Sequence, residues 1–146
     1  MDYREYSKDL LSRKKNLVSA YSAIKTELEC LEKEKLACKS FALNSSAQDE
    51  LGKIQYEDRL INVLADMDDC RFRLSVVERE LLKIEKGMNG LTDYQKDIID
   101  TFFVEQTDHA ADDLMERWYK ERSSLYRDRT KALDQFTRSV YGVLQL

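Results

Sequence analysis

The residues best suited to chemistry lie in one predicted helix near the C-terminus, from about Arg122 to Tyr141. At about 100° per residue, with Leu125 at the buried centre, the positions that face outward are Ser123, Arg127, Thr130 and Asp134, flanked by Ser124, Tyr126, Lys131 and Arg138. Arg127 can donate two hydrogen bonds to guanine O6 and N7, and Ser123, Ser124 and Thr130 suit bases or phosphates. Lys131 and Arg138 suit phosphates. This face predicts a DNA interface; the competing interpretation is an ordinary solvated helix face.

Two further arginines of this helix, Arg122 and Arg129, lean toward the buried side in the same projection. We expect Arg129 to pair with the acidic helices that precede it before it contacts DNA. The aromatic residues concentrated in the last third of the chain are expected to form the core of short helices rather than a base-stacking platform.

No other residues form a pattern typical of a catalytic, metal or cofactor site. His109 is the only histidine, and Asp66, Asp68 and Asp69 spread around a helix surface instead of converging. The cysteines have neither metal-ligand nor disulfide-framework spacing and are expected to be reduced packing residues: Cys30, Cys38 and Cys70. No glycine-rich phosphate loop is present. We therefore predict a protein that is not an enzyme and needs no metal or cofactor.

The net charge of −4 conceals an uneven distribution along the chain. Residues 93–116 carry 1 basic and 8 acidic side chains, whereas residues 117–146 carry 7 basic and 3 acidic ones. The basic segment favours DNA, and the acidic segment would repel phosphates unless it is turned away. The acidic surface has two further interpretations: a docking site for a protein partner, or solubility together with pairing to the basic helix.

Helix signals place the basic helix in a C-terminal module. Gly87 and Gly90 are expected to end the preceding helix with positive φ, which makes this the best domain boundary. Thr92 and Gln95 predict a capping box that opens a helix from Asp93 to about Val104, and a second helix is predicted from about His109 to Trp118. The connection Tyr119-Lys120-Glu121 leads into the last helix.

This module resembles the helix-turn-helix of sigma-factor region 4. The resemblance rests on Leu91-Thr92, Ala111 to Trp118, Arg122-Ser123-Ser124-Leu125-Tyr126-Arg127 and Lys131-Ala132-Leu133. In that family a stretch like Arg122 to Arg127 begins the helix placed in the major groove, so Arg122 joins the candidate DNA-binding residues. Tyr119 stands where the family's turn usually has glycine, so the turn either uses an ordinary conformation or strains a tyrosine. Glu121 stands where the family usually has a capping serine or threonine.

Two long helices are predicted upstream of this module. From about Tyr3 to Cys38 a heptad stripe runs through Tyr3, Leu10, Leu17, Tyr21, Ile24, Leu28, Leu31 and Cys38, with Lys14 and Lys35 at further seam positions. Ser45 and Gln48 predict a capping box for a second helix from about Ala47 to Lys86, whose stripe is Leu51, Ile54, Ile61, Leu64, Met67, Leu74, Val77, Leu81 and Ile84. Such helices must pair, either within one chain as an antiparallel hairpin or with a second copy.

The predicted fold is therefore all-α: a two-helix coiled coil over residues 1–90, followed by a three-helix helix-turn-helix domain over residues 91–146. With no proline, no targeting segment and no apolar run of membrane-spanning length, we expect a cytoplasmic protein outside the membrane. With its helical extension, the chain resembles phage and prophage transcription regulators of the ArpU and RinA type. The resemblance implies sequence-specific binding to double-stranded DNA, and we expect a homodimer or higher homo-oligomer. The alternative is a helical adaptor or assembly protein that binds a protein partner, such as host RNA polymerase or a phage protein, without recognising DNA.

Overall fold

The computed structural model describes the backbone of residues 1–44 and 50–146 and the side chains of residues 1–41 and 51–146. Within these ranges the regular structure is helical and no strand is present, which confirms the all-α prediction. The elements are α1 (Tyr3–Ser12), α2 (Lys14–Asn44), α3 (Glu50–Asn89), α4 (Asp93–Ile99), a π-helical turn (Asp100–Glu105), α5 (Ala110–Trp118) and α6 (Arg122–Tyr141). The predicted Ser45–Gln48 capping box lies outside the described residues. No described helix is both long enough and apolar enough to cross a bilayer.

The contacts divide the chain into two compact units, one comprising Met1–Val18 with Arg79–Leu146 and the other Ser19–Glu78. We call these the terminal unit and the middle unit. This division differs from the predicted boundary at residue 90, because α1 packs on α6 and on the π-helical turn. The first helix of the sequence therefore belongs to the same unit as the last.

The first predicted helix is interrupted at Arg13. Its backbone (φ −88°, ψ −3°) departs from α-helical values, and its N–H donates to the carbonyls of Asp9 and Leu10, each at 3.2 Å. At the other end of α1, the carboxylate of Asp2 accepts hydrogen bonds from the N–H groups of Arg4 and Glu5. The predicted single helix from Tyr3 to Cys38 is thus two helices.

The core of the terminal unit gathers side chains from every one of its helices. Leu10 and Leu11 of α1 are buried together with Ile84, Ile98, Ile99, Leu114, Leu125, Leu133 and Phe136. Because α1 must meet both α6 and the π-helical turn, it buries two adjacent leucines, of which the heptad stripe predicted only Leu10.

Gly87 does not end α3, contrary to the prediction, and neither Gly87 nor Gly90 has a positive φ. The helix continues to Asn89, and α6 approaches it closely at Gly87. A Cβ on Gly87 would lie 2.7 Å from Val140 Cγ2 and closer still to the ring of Phe136. Gly87 is therefore required for helix packing rather than for a turn.

The helix that follows begins as predicted and continues differently. Thr92 and Gln95 form the predicted capping box. The expected helix to Val104 becomes π-helical after Ile99, and Gln106 ends it in the left-handed region (φ 52°). A π turn shifts the angular positions of the residues in it, so Thr101 and Val104 are buried while Phe102 and Phe103 are only half-buried.

In the middle unit, α2 and α3 contact each other within one chain and run in opposite directions. Glu34 pairs with Arg59, and Glu27 pairs with Arg73, each at 3.0 Å. The rings of Phe41 and Tyr56 stack with centroids 4.0 Å apart. Residues late in α2 thus face residues early in α3. The two helices pair within one chain, which is one of the two predicted arrangements.

The apolar residues predicted to form the packed stripe of α2 are buried or half-buried. Part of the stripe predicted for α3 is wrong. Leu51, Ile54, Ile61 and Leu64 are exposed. The residues on the packed side are spaced alternately by four and three: Tyr56, Leu60, Val63, Met67, Cys70, Leu74 and Val77. The prediction had joined two stripes that lie on different faces of the same helix. Cys38 and Cys70 are buried as expected, whereas Cys30 is exposed.

Candidate nucleic-acid interface

The candidate interface is carried by α5, the three residues after it, and α6. Both helices lie within one residue of their predicted bounds. Tyr119 adopts the left-handed conformation (φ 53°, ψ 48°) and is 94% exposed. The turn therefore strains the tyrosine backbone, which is one of the two predicted alternatives. The left-handed conformation costs roughly 1–2 kcal/mol of folding free energy relative to glycine.

Glu121 precedes α6 and makes no side-chain capping bond, in keeping with the absence of serine or threonine there. The N–H of Leu125 donates to the Glu121 carbonyl at 2.9 Å. Arg122, a predicted DNA-binding residue, pairs with Asp112 at 3.0 Å, and both side chains are about 60% exposed. This ion pair links the start of α6 to α5. Because both side chains are exposed to solvent, the pair contributes little to stability.

The inner side of α6 is firmly anchored. Leu125, Ala132, Leu133 and Phe136 are buried, as the projection predicts. Thr137 is also buried, and its hydroxyl lies 2.7 Å from that of Ser7 on α1. The helix is therefore fixed in rotation, and the opposite side chains are presented in defined directions.

Most of the predicted outward residues are accessible. Those that are exposed are Ser123, Arg127, Thr130, Lys131 and Arg138; Ser124 is half-buried, and Tyr126 is at 36% exposure. Within the described part of the chain, Arg127, Lys131 and Arg138 form no ion pair. Their charges are consequently available to an external anion.

Asp134, the one carboxylate predicted on the outward face, is held by α1. Arg4 Nε donates to Asp134 Oδ1 at 2.6 Å, and Arg4 Nη2 donates to Oδ2 at 3.1 Å. This hydrogen-bonded pair raises the pKa of the Arg4 guanidinium. The pairing neutralises a charge that would otherwise repel phosphate from the middle of α6.

Arg129 does not pair with the acidic helices, contrary to expectation. Its guanidinium lies 5.0 Å from the centroid of the Phe102 ring and 4.6 Å from that of Tyr126. Aromatic faces attract a cation, so the aromatic residues of the π-helical turn and of α6 replace the carboxylate that was predicted.

The acidic segment is partly consumed by interactions within the terminal unit. Asp97 accepts hydrogen bonds from Arg117 (2.6 and 2.7 Å), from Trp118 Nε1 (2.6 Å) and from Thr101 (3.2 Å). Glu105 pairs with Lys15, and Asp100 lies 3.8 Å from Lys14. Burial raises the pKa of Asp100. In the described part, the exposed acidic residues without an ion pair include Asp108, Asp113 and Glu116.

Arg4 and Lys8 were missed by the sequence analysis. They belong to the first helix and lie beside α6 only because α1 packs there, about 130 residues away along the chain. Local spacing carries no signal for such a contact.

Within the described residues, no group of three or more histidine, cysteine, aspartate or glutamate side chains could hold a metal ion. Comparisons with protein families, with curated proteins and with solved structures find no match for this chain.

Proposed function

We propose that this protein is a sequence-specific DNA-binding transcription regulator of phage or prophage type, in which α5 and α6 form a helix-turn-helix and α6 enters the major groove. The observation that carries the proposal is that Arg127 is exposed and forms no ion pair among the described residues, on a helix anchored from behind by Leu125 and Phe136. Burial of Arg127 would have excluded this function.

The distribution of contacts along α6 supports the same orientation. Its C-terminal half is packed against α1 through Thr137 and through Tyr141, whose ring lies 5.4 Å from that of Tyr3. Its N-terminal half carries the exposed Ser123 and Arg127. Helix-turn-helix proteins read base edges with the N-terminal residues of the recognition helix.

In this arrangement Arg127 donates to guanine O6 and N7, while Ser123, Ser124, Tyr126 and Thr130 contact bases or sugar-phosphate nearby. Lys131 and Arg138 contact phosphates. Arg122 contacts DNA only if its ion pair with Asp112 breaks.

A single copy has few phosphate contacts, so we propose a homodimer or higher homo-oligomer, which would double them on a two-fold operator. The outer face of α3 in the middle unit supports self-association, because Leu51, Ile54, Ile61 and Phe72 are exposed there. Sedimentation would then show a dimer that dissociates when Ile61 and Phe72 are both replaced by serine. An unchanged molecular mass would remove this face from the interface.

The DNA-binding proposal is tested by fluorescence anisotropy with duplexes selected from a random pool. Combined Arg127→Ala and Lys131→Ala should lower the affinity at least tenfold, since it removes one base contact and one phosphate contact. The matched control, Lys33→Ala with Lys39→Ala on α2, removes the same net charge from the middle unit and should bind like the parent. Equal binding by the α6 variant would refute the assignment.

The second candidate is an adaptor that binds a protein such as host RNA polymerase. The exposed, unpaired Asp108, Asp113 and Glu116 favour it. Absence of duplex binding at low salt, together with association with RNA polymerase that is lost when these three residues are neutralised, would select the adaptor.

A further inference from the structure

A groove of about 400 Å³ lies in the terminal unit between α1, α6 and the π-helical turn. Its lining residues are Arg4, Lys8, Phe103, Arg129, Thr130 and Leu133. Three of these six side chains are cationic and two are apolar. None is acidic, which is unusual beside a segment as acidic as residues 93–116.

The cations of the groove retain the capacity to bind an anion. Arg4 uses Nε and Nη2 for Asp134, and in the part of the chain that the structure describes its Nη1 has no hydrogen-bond partner. Lys8 pairs with Glu5, but the two side chains are 45% and 62% exposed, so water and salt weaken this pair. Arg129 contacts aromatic rings instead of a carboxylate. Asp134 neutralises the charge of Arg4, so an incoming phosphate meets the exposed ammonium group of Lys8 and one remaining N–H donor of Arg4, its Nη1.

The groove lies on the opposite flank of α6 from the predicted phosphate contacts. In the helical projection Lys131 and Arg138 lie about 20–40° to one side of Arg127, whereas Thr130 lies about 60° to the other side. Thr130 also lines the groove, so the groove continues from that second side. Arg127 is thus flanked by basic residues on both sides.

Two basic flanks match the geometry of a helix in duplex DNA. A helix with its side chains is about 10–12 Å across, and the major groove is about 12 Å wide with a phosphate strand along each edge. If Arg127 points at the bases, Lys131 and Arg138 face one strand. Lys8 and the Nη1 donor of Arg4 then face the other.

We infer that the groove between α1 and α6 binds the phosphate backbone of the second DNA strand, with Lys8 supplying the charge and Arg4 Nη1 a hydrogen-bond donor. The inference rests on the proposed DNA-binding function. It assigns the N-terminal helix to the DNA interface and gives the Arg4–Asp134 pair a second role, which is to hold α1 in register with the reading face.

The test measures duplex binding by anisotropy over a salt series. Each phosphate contact contributes about 0.9 to the slope of log K against log salt concentration. Lys8→Gln should lower the magnitude of that slope by about 1 and weaken binding several-fold at low salt, and Lys8→Glu should weaken it further. Lys33→Gln, which removes the same charge from α2 in the middle unit, should leave both quantities unchanged. Circular dichroism checks that α1 stays folded; Lys8 is exposed, so no change is expected.

The outcomes separate this inference from the function on which it rests. If the parent protein binds duplex DNA and the Lys8 variants retain its slope, the groove is not a phosphate site, while DNA recognition stands. If the parent shows no salt-dependent binding, both ideas fall. If Arg127→Ala loses sequence preference but keeps a salt slope that Lys8→Gln reduces further, the groove is supported independently of base reading.

Discussion

The terminal and middle units bury their apolar residues in different ways. In the terminal unit, side chains from six helical segments enclose Phe136, Leu125, Leu114 and Ile98, all at 0% exposure. In the middle unit two helices share one stripe, and on α3 Leu51, Ile61 and Phe72 remain more than 60% exposed. The terminal unit encloses its own apolar core, and this packing fixes the orientation of the charged face of α6. The middle unit leaves exposed the apolar face that is proposed above for self-association.

The largest expected effect that follows from this contrast concerns two phenylalanines. Phe136→Ala should destabilise the protein by about 3–5 kcal/mol, because it removes a fully enclosed ring at the centre of the terminal unit. Phe72→Ala, at 68% exposure in the middle unit, should change the stability of the monomer, measured at high dilution, by no more than about 0.5 kcal/mol. Urea unfolding followed by circular dichroism measures both. Similar losses from the two substitutions would contradict the contrast.

A smaller effect is expected where α3 meets α6. Gly87→Ala gains helix propensity of about 1 kcal/mol, but its Cβ would overlap Phe136 and Val140, and overpacking costs about 1–3 kcal/mol. We expect a net loss of up to about 2 kcal/mol. Gly90→Ala is the control, since its Cβ would lie 3.3 Å from Ser139 Oγ. A Gly87→Ala protein more stable than the parent would show that the close approach is not rigid.

The smallest expected change is a gain in stability at the turn before α6. Tyr119→Gly should stabilise the terminal unit by roughly 0.5–1 kcal/mol, because the strain that glycine relieves is partly offset by the greater conformational entropy it gives the unfolded chain, and the tyrosine side chain is exposed. Tyr119→Ala keeps the strain and should match the parent. A loss of stability in the glycine variant would reveal a contact made by the tyrosine ring.

The stability of the terminal unit should also depend on pH, through Tyr94. Burial and the hydrogen bond to Asp128 raise the pKa of Tyr94 to about 12. The folded protein therefore retains this proton between about pH 10, the ordinary value for tyrosine, and pH 12. The contribution of Tyr94 to stability is complete below pH 10 and is lost as the pH rises to 12. Tyr94→Phe should abolish that part of the decline in the melting temperature; an identical decline in the variant would assign it to other groups.

Sequence patterns predicted those features that depend on neighbours along the chain. The Thr92–Gln95 capping box, the bounds of α6, its buried residue Leu125 and the exposed Arg127 all follow from local spacing. Features that depend on distant partners were mispredicted or missed. A glycine near the end of a helix predicts a turn, and nothing in the neighbouring sequence indicates that Phe136 packs against Gly87. The helical projection likewise turns Asp134 toward solvent, whereas its partner Arg4 lies 130 residues away along the chain.

The stripe of α3 failed for a different reason. Its N-terminal half carries apolar residues on two faces, and periodicity alone does not tell which face meets α2. Tyr56 and Leu60 lie on the packed side, whereas Ile54 and Ile61 lie on the open one. The ambiguity in the pattern therefore coincides with the apolar surface proposed for self-association.

The most direct test of DNA recognition by α6 is selection of bound duplexes from a random pool, carried out in parallel with the parent protein and with Arg127→Ala. The parent should enrich a motif with a fixed guanine, and the variant should lose preference at that base pair while keeping the others, because one bidentate contact discriminates by about 1–3 kcal/mol. Enrichment of the same guanine by both proteins, or of no motif by the parent, would contradict the proposal.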